Sequence, residues 1–322
     1  MRDMEEETGL FEKIDITKYP VKKLVAIPLI ILLIALAVLT YTQLSTDSPV
    51  HMGMDFKGGT WVKVGTDETR EEVNAKFSAS FPVTLVARTG VGNEKRIEFD
   101  LTGGSQGYDR LIDMLNEEYG VGTYRIESIS PRFGKQYRTQ ALQAVAIAFT
   151  LMAIVVFVVF RTFIPPLAVI FAAFSDIVIA VACMDLIGME LSLGTVAALL
   201  MLIGYSVDSN ILLTTNLLRK KGELNEKLRN TMRTGITMTS TTLSAVIAMF
   251  LVSFYIDIPI LKDISIVLLF GLVMDLMNTW LLNAGVLRWY IERKERKKYV
   301  KRDVGKAKKK KVTRKKQIID TD

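Results

Sequence analysis

Apolar residues run for about the thickness of a bilayer six times along the chain, at 24–42, 142–160, 164–187, 191–213, 235–256 and 264–287. A helix rises ~1.5 Å per residue, so ~20 such residues cross a hydrocarbon core of ~30 Å, and the pattern predicts six transmembrane helices. The stretch between the first two runs is patterned differently and is too long for a loop. TWVKVGT (60–66) is β-rich, and DETREEVNAKFSAS follows with Asp67 as its expected cap and an acidic first turn. PVTLVAR and KRIEFDL are strand-like runs separated by TGVGNE, YDRLIDMLNEEYG sets Leu111, Leu115 and Tyr119 at helical spacing, and TYRIESIS alternates again. The order β-α-β-β-α-β is the ferredoxin-like split pattern. The expected fold class is an α-helical polytopic membrane protein with an extracytoplasmic α+β ferredoxin-like domain between helices one and two. Its divisions are a cytoplasmic tail (1–23), the first span (24–44), the external domain (45–140), a five-helix membrane domain (141–287) and a basic tail (288–322).

Charge sets the orientation. Lys13, Lys18, Lys22 and Lys23 precede the first run, Arg219, Lys220, Lys221, Lys227, Arg229 and Arg233 follow the fourth, and the net charge of +7 is concentrated further in the tail after Arg288. The loops MDLIGME and YIDIPILKD are acidic or nearly free of positive charge. The positive-inside rule then predicts a multi-pass cell-membrane protein with both termini in the cytoplasm. No A-x-A-like cleavage site follows the first run, which reads as an uncleaved signal anchor. The basic tail suits anionic lipid, at about 1 kcal/mol per residue near the surface, and its sparse aromatic interleaving argues against a specific nucleic-acid partner.

Enzymatic classes find little support. With one histidine, His51, and one cysteine, Cys183, there is material for neither a His-based metal centre, nor a Ser-His-Asp triad, nor a disulfide framework. Neither G-x-x-x-x-G-K-[ST] nor G-x-S-x-G occurs, and no cofactor or metal is expected.

The candidate chemistry lies inside the apolar runs. A carboxylate at the bilayer centre costs about 2.5–3.5 kcal/mol, so Asp176, Asp208 and Asp275 each need a reason. Asp208 stands about 16 Å of helical rise from Arg219, and all three acids fall near one depth. Their neighbours at helical spacing are small or polar, as in Ala172, Asp176 and Ala180, in Gly204, Asp208 and Thr215, and in Gly271, Asp275 and Asn278. Helix five adds Thr234, Thr237, Thr241 and Ser244 on one face. The economical expectation is one polar seam in which Asp208, flanked by Ser209 and Asn210, gains and loses a proton, with Arg233 as counter-charge or as a positive-inside anchor. The other acids serve equally well as hydrogen-bonding glue between helices.

Four motifs resemble the SecF family of protein-export membrane proteins. GMDFKGGT (53–60) is similar to its G-x-D-F-x-G-G-T signature, which singles out Gly53, Asp55, Phe56, Gly58 and Gly59. ISPRFGKQ, GYSVDSNILL and MRTGITMTSTTLSA resemble its motifs before helix two, in helix four and at the start of helix five. The resemblance implies a non-enzymatic accessory subunit that acts with SecD and the Sec translocon on translocating unfolded polypeptides, coupled to an ion gradient. It carries the functional acid to Asp208 and the arginine to Arg233. Bacterial members have their Asp one position later, at Ser209, an offset of about 100° around the helix. A resistance-nodulation-division-type exporter and a passive membrane-tethered chaperone are the competing readings.

Overall fold

The structure, a computed structural model, describes residues 20–46, 48–88, 93–256 and 258–297. Lys13, Lys18 and the tail beyond 297, with the lipid contact expected there, lie outside the described residues.

The chain begins with helix α1 (Val21–Thr46). A single helical turn α2 (Met54–Lys57) then leads into β1 (Gly59–Gly65), α3 (Arg70–Ser78), β2 (Val83–Arg88), β3 (Glu94–Phe99), α4 (Gln106–Tyr119) and β4 (Tyr124–Ile129). The strands form one antiparallel sheet in the order β2-β3-β1-β4. Alternation does the folding here: Val62, Val64, Ile97 and Phe99 turn to one face and bury against Val73 and Phe77 of α3 and Leu111 and Leu115 of α4. The cap of α3 is Thr69, not Asp67. Thr69 Oγ1 accepts from Glu72 N (3.2 Å) while Glu72 Oε2 accepts from Thr69 N (2.7 Å), a reciprocal pairing that a cap two residues earlier could not make.

Five long helices follow or flank this head: α5 (Pro131–Phe160), α6 (Ile164–Leu186), α7 (Leu193–Arg219), α8 (Leu224–Ile256) and α9 (Pro259–Met277). The first ten residues of α5, expected as a polar approach, are already helical. Ser130 is extended and Pro131 occupies the first turn, where its missing N–H costs nothing. Likewise α8 starts eleven residues before the expected 235, because Leu228 and Met232 repeat at i, i+4 and bury against Leu217 and Trp280.

Among the described residues five helices, α1 and α5 to α8, are long and apolar enough to cross a membrane. The sixth expected run, 264–287, is divided. Lys262, Asp263 and Asp275 reduce the apolarity of α9, and its α-helical hydrogen bonding gives way at Asn278–Asn283 to a π turn before an α-helix, α10, resumes over 284–297. Half or more of the apolar stretch of α6 and α7 is buried (56% and 50%), against 11% for α5 and 17% for α8. Thus α6 and α7 form the centre, with α9 packed on both, and α5 and α8 present most of their surface outward.

Candidate intramembrane polar centre

The centre is built where α6, α7 and the α9–π turn meet. Asp176 on α6 is fully buried. Ser206 Oγ of α7 donates to its Oδ2 at 2.6 Å, and Asn278 Nδ2 of the π turn donates to its Oδ1 at 2.6 Å and to Ser175 Oγ at 3.1 Å. Asp275 on α9, 1% exposed, accepts from Ser209 Oγ at 3.0 and 3.1 Å and from Thr279 Oγ1 at 3.1 Å. The two carboxyls are thus held by hydroxyls three residues apart on α7, Ser206 for Asp176 and Ser209 for Asp275. Towards the end of the bundle away from the head, Asn283 Nδ2 donates to Asn210 Oδ1 at 2.6 Å, and Asn210 Nδ2 donates to the Ser206 carbonyl at 2.7 Å.

The π turn makes this possible. An inserted residue widens the turn, so Asn278, Thr279 and Asn283 all point inward and all are fully buried. The side-chain carbonyl oxygens of Asn278 and Asn283 are buried and accept no hydrogen bond, so the network keeps unused acceptors at its two ends. The groups that hold the acids are hydroxyls and amides, so the centre can move a proton between oxygens without displacing an ion pair.

The expected single seam is in fact two faces. Ser209, Asn210, Asp176 and Asp275 meet as described. Asp208 is on the opposite side of α7 and is exposed, together with Gly204 and Tyr205. One position along a helix is about 100°, which is why Ser209 enters the centre and Asp208 leaves it. Arg233, Thr234, Thr237, Thr241 and Ser244 are likewise exposed, along one face of α8. With no neighbour to bond, the hydroxyls turn back on their own helix, Thr237 Oγ1 to the Arg233 carbonyl (2.9 Å), Thr241 Oγ1 to that of Met238 (2.7 Å) and Ser244 Oγ to that of Ser240 (2.8 Å). Arg233 and the threonines therefore do not face the buried acids.

The GMDFKGGT residues sit at the other end of the bundle and join the head to it. Gly53 N donates to the Leu191 carbonyl (2.8 Å) and Leu191 N to the His51 carbonyl (2.7 Å), a short parallel bridge between the head's approach and the α6–α7 loop. A Cβ at Gly53 would stand 2.9 Å from that Leu191 oxygen. Asp55 Oδ2 accepts from Leu193 N (2.9 Å) at the start of α7, beside the Ser192–Thr195 capping box. Phe56 is buried beside Val196, Tyr137 and Ala141. Gly58 adopts φ +84°, and a Cβ there would lie 2.8 Å from Pro131 N. Gly59 then opens β1.

Sequence reasoning missed the other half of this junction. Asp185, at the end of α6, accepts from Thr42 Oγ1 (2.6 Å) and from His51 N (3.2 Å), and its Oδ1 pairs with His51 Nδ1 (2.7 Å). The usable signal was the one histidine lying two residues before the signature.

The family described as protein export membrane protein SecD/SecF, C-terminal, matches residues 112–293. The protein-export membrane protein SecF of Methanolacinia petrolearia is 46% identical over 279 residues, covering 87% of this chain and 97% of that one. Those of Haloferax volcanii and Pyrococcus furiosus are 43% and 41% identical, each over 86% of this chain and over 95% and 93% of theirs. The crystal structure of SecDF, a translocon-associated membrane protein from Thermus thermophilus, shares the fold with a TM-score of 0.65 at 22% identity, over 84% of this chain and 38% of that one. The chain thus spans well under half of that longer protein.

Proposed function

The chain belongs to the SecD/SecF family of protein-export membrane proteins, and from that premise we propose that it works beside SecD and the Sec translocon, helping unfolded polypeptides cross or enter the membrane. It is a multi-pass membrane subunit and not an enzyme. The observation that carries the partnership with SecD is the exposed polar face of α7 and α8. Asp208, Thr237 and Thr241 lie within apolar runs and Arg233 just before one, and all look outward, where hydrocarbon would leave the acid unsatisfied. Gly204 beside them has no atom within 4 Å of where a Cβ would be, so another helix can approach closely there. A helical partner with its own polar face satisfies both requirements. That a longer protein named SecDF contains the same fold supports SecD as that partner.

In this reading α9, the π turn and α10 together form the sixth span, both termini are cytoplasmic, and the head is a ferredoxin-like domain outside, as its strand order supports. Ion-gradient coupling has two acid positions. One is the buried pair Asp176 and Asp275, held by Ser206 and Ser209 of the same stretch of α7, where two neighbouring buried carboxyls do not both ionise without cost. Asp208 completes a second site only when the partner docks, with Arg233 as its counter-charge.

The test is co-purification from native membranes. Asp208→Leu combined with Thr237→Leu is expected to release SecD while the chain stays folded. SecD retained in full by this double variant would overturn the docking face. Separately, Asp275→Asn should weaken gradient-dependent export in vesicles, and unchanged export would remove the buried pair from coupling.

A further inference from the structure

A cavity of about 220 Å³ lies at the outer end of the bundle, between the head's junction and helices α5 to α7. Met52, Phe56, Leu142, Val145 and Leu199 make its walls apolar, and the Arg138 side chain stands at its rim. It is only partly enclosed. Water gains little in such a space, because Arg138 is the one polar side chain among its lining residues. In a bilayer the apolar molecule at hand at this depth is a lipid chain.

The charges around it are otherwise hard to account for. Arg132, Lys135 and Arg138 are exposed within the first turns of α5, and no acidic side chain pairs with any of them among the described residues. Basic residues are depleted on the outer side of membrane proteins, and Arg132 also faces the positive end of its helix dipole. Two unfavourable placements in one short stretch ask for a compensating anion. The apolar run of α5 begins at Leu142, four residues after Arg138, so the cations stand at headgroup level directly above the cavity.

We infer that this is a binding site for one anionic phospholipid, its acyl chain in the cavity and its phosphate on Arg138, with Lys135 and Arg132 nearby. The site rests on the orientation proposed above, although lipid binding can be measured without it. The volume admits part of one chain, so selectivity comes from the net negative charge of the headgroup, which a zwitterionic lipid's own ammonium cancels. Because Met52 and Phe56 belong to the junction between head and bundle, the lipid becomes part of the wall that holds the two together.

The experiment uses the full chain purified in detergent, with retained lipid counted by native mass spectrometry and thermal unfolding followed during titration. The probes are dioleoylphosphatidylglycerol, dioleoylphosphatidylcholine, glycerol phosphate and a hydrophobic signal-like peptide. Phosphatidylglycerol is expected to be retained at one per chain in preference to phosphatidylcholine. Arg138→Gln should weaken that binding about tenfold, the effect of one lost charge-assisted contact, and weaken phosphatidylcholine less, so that the preference between the two lipids narrows. Ala141→Trp, or Val145→Phe if the first does not fold, fills the cavity and should weaken both lipids. Equal retention by the parent and all variants overturns the site. So does binding of glycerol phosphate as tight as that of the lipid, or stabilisation by the peptide in place of the lipid. None of these readouts involves SecD or export, so this site and the proposed function fail separately.

Discussion

Gly134 and Gly204 are both helical glycines, and the same substitution should act on them with opposite sign. Exchanging glycine for alanine inside a helix gains about 0.8–1 kcal/mol from reduced backbone freedom. At Gly204 nothing lies within 4 Å of the new methyl, so that gain stands. At Gly134 the methyl would lie 2.7 Å from the Phe56 carbonyl oxygen, 3.0 Å from its carbon and 3.1 Å from Gly58 N. All three are backbone atoms, pinned by the junction at Gly53 and Gly58, so no side chain can swing aside. Overpacking of this kind costs about 1–3 kcal/mol, which exceeds the propensity gain. Gly134→Ala is therefore expected to unfold earlier than the parent and Gly204→Ala later, about 1–3 kcal/mol apart, since the propensity gain is common to both. Thermal unfolding of the full chain in detergent reads the difference, at about 2–4 °C per kcal/mol. If Gly134→Ala proves as stable as Gly204→Ala, the close approach of α5 to the Phe56 backbone is wrong.

Four further outcomes follow from the same geometry. Ser206→Ala and Asn278→Ala each remove one donor from Asp176 and should cost about 0.6–1.7 kcal/mol singly. Their double variant should depart from additivity by at least ~0.5 kcal/mol, and strict additivity in a double-mutant cycle would deny the shared carboxyl. Asp208→Asn should shift the stability of the isolated chain by less than ~0.5 kcal/mol, and a large shift would mean that Asp208 is packed inside. Asp55→Ala should cost about 1 kcal/mol and speed hydrogen exchange at Leu193 selectively; unchanged protection there would refute the cap. In the head, the Lys76 hydrogen bond at 2.6 Å holds the Glu68 carboxyl below its ordinary 4.5 against the upward pull of burial. That contribution is present above pH 4.5 and lost as pH falls through the lowered value. The hydrogen bonds that Lys76 Nζ donates to Glu118 and Glu68 raise Lys76, whose share is full below 10.5 and lost only at stronger alkali. Glu68→Gln should flatten the acid limb of a melting curve, and an unchanged acid limb would exclude the pair.

Five of the six expected spans and the order of head elements were legible because each depends on a local period, 3.6 or 2, that survives without knowledge of neighbours. Helix starts were less so. The turns before Leu142 and before Gly235 are polar on one side only, and the apolar partners of Leu228 and Met232 lie on α7 and in the π turn. Asp208 shows the limit most clearly. On α7 both Gly204–Asp208 and Ser206–Ser209–Asn210 are polar at helical spacing, so the sequence offers two candidate inner faces and only packing against α6 and α9 chooses. The π turn has no periodic signature, although it decides that Asn278, Thr279 and Asn283 enter the centre together. His51 and Asp185 are separated by 134 positions, a distance over which no spacing rule operates.

Between the last residue of β4, Ile129, and the first of α5, Pro131, stands Ser130 alone. Serine before proline is confined to the extended region, where it is found (φ −72°, ψ 149°), so this joint has almost no slack. The 30 residues of α5 make a rod of about 45 Å at ~1.5 Å per residue. Tilting such a rod by about 10° at the end away from the sheet carries its near end through about 8 Å. A rearrangement of less than a side chain's width in the bundle would thus arrive at the sheet as a stroke longer than a helical turn, with leverage supplied by length alone.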